Sequence, residues 1–195
     1  MGLIRRLCSI LLTPSTRWSL GALVGVGVVF GVVGVVGFNV TLHATSTEEF
    51  CVSCHSMGAY AYPSLQRSAH YANAAGAHAG CADCHLPREF VPKMLRKIEA
   101  AREVWGEIRG IIDTPEKYAA HQPGMAARER DRMIANDSRE CRNCHATERM
   151  VLTSQSASGQ KYHKTAAEAG ITCIKCHAGL AHLPAAPAID NSEGT

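Results

Sequence analysis

Between Arg17 and Glu48 the chain carries no Lys, Arg, Asp or Glu, and from Leu20 to Val40 it is apolar almost throughout, with Asn39 as the exception. About twenty such residues cross a bilayer as an α-helix. The pattern therefore predicts a transmembrane anchor over residues 18–41. Arg5, Arg6 and Arg17 precede it with no acidic counterweight, so the positive-inside rule places residues 1–17 in the cytoplasm and everything beyond the anchor on the far side. A cleaved signal peptide is the competing reading, because Leu42-His43-Ala44 is weakly like a cleavage site. The apolar run is longer than a signal core, which favours an uncleaved anchor. Gly21, Gly25, Gly27 and Gly31 supply two G-x-x-x-G spacings, which would let a second helix approach closely and so allow a homodimer.

Past the anchor the pattern changes to short segments. Leu95, Ile98, Trp105 and Ile108 fall on one face of a helical projection while Lys93, Arg96, Lys97, Arg102 and Glu103 fill the rest. This predicts an amphipathic helix from Pro92 to a stop at Gly110. Thr114-Pro115-Glu116 reads as a second start, with Thr114 as cap and Pro115 in the first turn. Met125 to Ala135 is dense in Arg and Glu and predicts a solvated helix ending at Asn136-Asp137-Ser138. Residues 184–195 are rich in Pro and Ala without periodicity, and a disordered tail is expected there. The fold class that follows is mainly α with little regular secondary structure.

Composition deepens that picture. Only 6% of residues are aromatic, and residues 42–183 are poor in side chains that fill a core, so a cofactor is expected to supply apolar bulk. Eight of the nine cysteines fall into one repeated unit: Cys51-Val52-Ser53-Cys54-His55, Cys81-Ala82-Asp83-Cys84-His85, Cys141-Arg142-Asn143-Cys144-His145 and Cys173-Ile174-Lys175-Cys176-His177. The ninth is Cys8. C-x-x-C-H is the spacing of c-type haem attachment. Two thiols become thioethers on the haem, and the adjoining histidine lies under the iron. Paired C-x-x-C also builds zinc sites, but zinc does not require a histidine after every second cysteine. Four covalently bound haem c groups are expected. A formal charge of +3 gives no reason to expect nucleic acid as a partner.

Residues 70–80 and 163–172 lead into the second and fourth motifs with similar length and pattern, so the domain reads as two dihaem units. The repeat makes His70 and His163 candidate distal iron ligands, and His182, just past the last motif, is a third. His43, His78 and His121 are weaker candidates. Met57 follows His55 by two residues. A methionine is either a haem ligand that raises the potential or a side chain packed on the porphyrin, and sequence alone leaves both readings open.

Leu42 to Thr47, Phe50 to Met57, Cys81 to Pro87, Lys97-Ile98-Glu99-Ala100, Ile112 to Lys117 and Glu140 to His145 carry a resemblance to the NapC/NirT family of membrane-anchored tetrahaem quinol dehydrogenases. Within it the chain looks most like the NapC type, which serves periplasmic nitrate reductase. The resemblance implies that menaquinol or ubiquinol from the membrane pool is oxidised at the periplasmic face of the bacterial inner membrane. It also implies that Met57 ligates the first iron in place of His55, while His85, His145 and His177 keep their motif roles. By the same likeness His182 would face the second haem, His163 the third and His70 the fourth. Lys97 matches a lysine of the quinol site, and Glu103 falls where many members have aspartate beside the first haem. The two lie about 120° apart on a regular helix, so spacing alone does not bring them together. A carboxylate near the quinol hydroxyl suits a general base, because quinol oxidation releases protons with its electrons.

The expected function is electron transfer from quinol to a periplasmic reductase, nitrate reductase before others. Three rivals stand beside it: a relay fed by another protein without its own quinol site, a NirT-like donor to nitrite reductase, and a haem enzyme reducing a small nitrogen oxide at the open side of the first iron.

Overall fold

A computed structural model describes residues 2–6 and 17–182; Cys8 and the expected tail over 184–195 lie outside the described residues. The chain forms two compact units, Met1–Thr45 and Ser46–Thr195. Among the described residues there are helices, turns and loops but no strand.

In the first unit, α1 runs Leu20–Ala44, three residues beyond the expected boundary at 41. It starts where Ser19 caps it, the Ser19 hydroxyl accepting from the Ala22 amide at 3.2 Å. Near its C-terminal end polar side chains bond back to the helix: the Asn39 amide donates to Val35 O at 2.8 Å and the hydroxyl of the capping Thr45 to Thr41 O at 2.7 Å. That is the requirement a bilayer places on a spanning segment, which has no water to hydrogen-bond stray polar groups. By length and composition α1 is able to cross a membrane.

In the second unit, α2 (Glu48–Val52) enters the first motif and is followed by one π-turn, Met57–Ala61, and α3 (Tyr62–Gln66). The second motif is itself a short helix, α4 (Cys81–His85). The amphipathic segment is α5 (Phe90–Ile108), which begins two residues before the expected start and ends at Gly110 in a left-handed conformation with φ +63°. Next, α6 spans Pro115–Ala135 without interruption. Thr114 caps it as expected, its hydroxyl accepting from the Lys117 amide, but the stretch from Met125 is no separate helix. Pro123 sits inside α6, where its ring removes one backbone donor. Nor is that stretch simply solvated, since Met133 is buried and Glu129 and Arg132 are only one-fifth exposed. The third motif follows on α7 (Arg139–Arg142), and α8 (Ala157–Glu168) precedes the fourth motif, whose Cys173–Lys175 form a single 3-10 turn.

Asp137 and Ser138 both have positive φ, 58° and 50°, a conformation that costs non-glycine residues about 1–3 kcal/mol each. Arg142 donates to the carbonyl and carboxylate of Asp137. Ser138 is fully buried, its hydroxyl 2.5 Å from that of Thr172 and accepting from the Ile174 amide at 3.1 Å. One strained turn thus joins the third motif to the fourth.

The apolar core is slight: among the described residues only Leu65, Ile112 and Met133 are buried apolar side chains, whereas Phe90, Leu95, Ile98, Trp105 and Ile108 are exposed. Protein side chains alone do not make the interior of this domain.

Candidate haem sites

The four motifs succeed one another in space as they do in sequence. Cys51 lies close to Cys81, Cys84 to Cys141 and Cys144, and Cys141 to Cys173. Helix α4 packs on both α2 and α7. Groups attached at these cysteines would form a row from first to fourth.

Three histidine pairs face each other across the motifs. Ring centroids are 6.1 Å apart for His85 and His182, 6.3 Å for His70 and His145, and 5.9 Å for His163 and His177. Two imidazoles bound trans to one iron, each nitrogen about 2 Å from the metal, hold their centroids about 6 Å apart. With a C-x-x-C beside each pair, the donor sets fit haem c.

Hydrogen bonds at Nδ1 fix which nitrogen is free in three of these rings. The Ser64 hydroxyl donates to Ala61 O, so at 2.9 Å it accepts from His182 Nδ1. Gln155 Oε1 lies 2.6 Å from His163 Nδ1. Glu129 Oε1 lies 2.8 Å from His85 Nδ1, and a carboxylate only accepts. In each case Nε2 remains for a metal. Burial, with the His85 ring nearby, lowers the His182 pKa and favours the neutral form a ligand needs. By contrast, His78 uses Nδ1 on Tyr71 O and has Nε2 3.6 Å from Glu48, and His121 bonds Lys117 O in its own helix. His43 lies in the last turn of α1.

The pairing differs from the one the resemblance implied. His70, not His163, faces the third motif, and His163 faces the fourth. The reason is local. His163 rides on α8, which turns through Gly170 (φ +62°) directly into the fourth motif, so it reaches only that one. His70 heads an irregular loop, where Asn73 accepts from Ala75 and Ala77 amides and donates to Ala69 and Ala77 carbonyls. The sequence repeat is not a structural one here: one copy is helix, the other a loop stapled by Asn73.

The first motif is built differently. Tyr60 packs on the His55 ring edge-on at 5.7 Å, has its hydroxyl 3.4 Å from His55 Nε2, and donates to Asp113 O. Met57 begins the π-turn. Gly58 allows this: a Cβ there would sit 2.7 Å from the Val52 carbonyl oxygen, so any larger residue would push the chain off the motif. Ser56, fully buried, donates from both backbone and hydroxyl to Glu107 of α5.

Of the two residues singled out on α5, Lys97 lies near enough to Cys51 for their charges to interact, and burial lowers its ammonium pKa. Glu103 instead pairs with Arg96 at 3.3 Å. The carboxylate that touches the first motif is Glu107, which sequence reasoning missed; a serine directly after C-x-x-C-H was the one signal. Arg96 also lies 3.8 Å from Glu129, which Arg132 grips at 2.7 Å, and Arg132 continues to Glu140 at 2.8 Å. Burial would raise the Glu129 pKa, but hydrogen bonds from His85 and Arg132 outweigh it and hold the acid well below the usual carboxylate range.

The model of the NapC/NirT cytochrome c family, N-terminal region, matches residues 13–187. The chain belongs to this family. It is 51% identical over 174 residues to the denitrification system component NirT of Stutzerimonas stutzeri (89% of this chain, 87% of that one). With cytochrome c-type protein NapC of Escherichia coli K12 it shares 49% over 181 residues (93% and 90%). It is also 45% identical to a tetraheme cytochrome-c type protein of Allochromatium vinosum over 87% of this chain and 91% of that one. NirT and NapC stand equally near. No solved structure matches. As a family member the chain is a membrane-anchored tetrahaem cytochrome c of electron transport.

Proposed function

We propose that this cytochrome oxidises quinol at the periplasmic face of the inner membrane and hands the electrons to a periplasmic reductase. The observation that carries this reading is the spatial order of the motifs, with three facing histidine pairs in series behind a first motif whose histidine packs against Tyr60.

Haem c, held at each C-x-x-C, supplies one-electron transfer at an iron whose ligands do not change with oxidation state. Cys51, Cys54, Cys81, Cys84, Cys141, Cys144, Cys173 and Cys176 would hold the four groups. His85 with His182, His145 with His70, and His177 with His163 would supply nitrogens to the iron. At the first site Met57 is the proposed ligand: His55 packs against Tyr60, while Gly58 keeps the Met57 turn against the motif. A thioether raises the potential relative to histidine, which suits the point where electrons enter.

On α5, Lys97 orients the quinol oxygen near the first motif. Quinol must lose two protons with its two electrons, and Glu103, exposed and paired with the largely buried Arg96, is the proposed acceptor. Glu107 holds the Ser56 loop. Electrons then leave past the fourth motif to a soluble partner, docking weakly and by charge.

The test is stopped-flow haem reduction of the detergent-solubilised full chain by a menaquinol analogue. Fast, inhibitor-sensitive reduction supports the reading; haems that reduce with dithionite but not quinol establish the relay alternative. The acceptor is proposed to be periplasmic nitrate reductase, with nitrite reductase as the second reading because the NirT relative is named for denitrification. Turnover of each reductase with the reduced cytochrome separates the two.

A further inference from the structure

The motif histidines are chemically alike, yet one of them is treated differently. His85 Nδ1 lies 2.8 Å from Glu129 Oε1. The other candidate ligand rings with hydrogen bonds, His182 and His163, use the neutral acceptors Ser64 and Gln155. Two guanidinium groups flank Glu129: Arg132 reaches it with Nε and Nη2 at 2.7–3.2 Å, and Arg96 stands at 3.8 Å. It is not a mobile surface acid either, since its side chain is only 20% exposed and Arg132 is anchored in turn on Glu140, 1% exposed.

A carboxylate on the far nitrogen of a ligating imidazole makes that ring a stronger base and fixes its orientation. A more basic ligand stabilises the oxidised iron, so hydrogen bonding of this kind lowers a haem potential. We propose that Glu129 is a positioning residue for the second haem, which through the His85 Nδ1–H···Oε1 bond becomes the lowest in potential of the three with two histidine ligands. This rests on the reading that His85 and His182 ligate the second iron.

The row of sites then has an uneven profile. With haem bound at each motif, the second site would take electrons at a lower potential than its neighbours and would pass them on readily to the third. Arg96 ties this setting to α5, because the same guanidinium holds Glu103 at 3.3 Å.

The full-length holoprotein tests it without mutation first. In wild-type protein, the near-infrared magnetic circular dichroism charge-transfer band of one bis-histidine haem should stand at higher energy than the other two; three coincident bands overturn the proposal. In Glu129→Gln, with four haems loaded, one midpoint should rise while the others stay, and the displaced band should rejoin its neighbours. Glu129→Asp should restore much of the difference. Unchanged midpoints in Glu129→Gln also overturn it. His182→Ala separates this from the ligand reading: if that variant leaves every haem low-spin, the ligation is wrong; if it makes one haem high-spin while Glu129→Gln moves nothing, the role of Glu129 alone is wrong.

Discussion

The His70 and His145 rings face each other at 6.3 Å, although they come from opposite halves of the sequence repeat. The two halves are therefore interleaved through this pair, and loss of His70 should be felt at the third haem. In His70→Ala, one haem of the four should turn high-spin by electron paramagnetic resonance. In a chain also lacking Cys141 and Cys144, His70→Ala should add no high-spin signal. If it still does, His70 serves another haem.

Ser56 and Glu107 tie the first motif to α5. Hydrogen bonds to a charged acceptor contribute about 1.5–3 kcal/mol each, and Ser56 is fully buried. Glu107→Ala should lower unfolding free energy by about 2–3 kcal/mol. It should also weaken the methionine–iron charge-transfer absorption of the first haem, leaving the bis-histidine haems intact. Denaturant unfolding followed in the Soret band checks the first effect, and the far-red absorption spectrum the second.

Arg132 and Glu140 form a pair in which the carboxylate side chain is 1% exposed. Removing one partner of such a pair costs about 3–5 kcal/mol, because the other charge is left buried. Glu140→Ala should cost about 3 kcal/mol, and less in an Arg132→Met background. The Glu140 carboxyl resists burial through hydrogen bonds from Arg132 and Asn136, which set its pKa below the ordinary 4.5. A depressed folded-state pKa means the stabilisation is full above the unfolded value and fades as pH falls through the folded one. Acidifying below about pH 4.5 should therefore destabilise wild type more steeply than Glu140→Gln. Parallel acid-unfolding curves would remove Glu140 from the account.

Lys97 stands by the first motif while Glu103 is held by Arg96, so the two should separate kinetically. Lys97→Gln should lower quinol kcat/KM about tenfold, some 1.4 kcal/mol of lost transition-state stabilisation. Glu103→Gln should lower kcat and leave KM nearly unchanged. Normal turnover in both, with intact haem spectra, would place the quinol site elsewhere.

The sequence by itself determined the covalent chemistry and the anchor. C-x-x-C-H declares haem attachment in any fold, because thiol spacing must match the haem edge, and a helix long and apolar enough to span a bilayer needs no partner to be recognised. Helix ends at Thr114 and Gly110 were equally legible, since capping is local. What only the tertiary structure decided are contacts between residues distant in the chain. His70 reaches the third motif because an Asn73-stapled loop carries it there, and His163 reaches the fourth because α8 is a rigid rod one turn away. Glu107 and Glu129 read as ordinary charged positions on helices until Ser56 and His85 arrive from other segments. A carboxylate becomes a setting for a metal site through a hydrogen bond about 3 Å long, and no periodicity along one helix encodes what the next segment will bring within that distance.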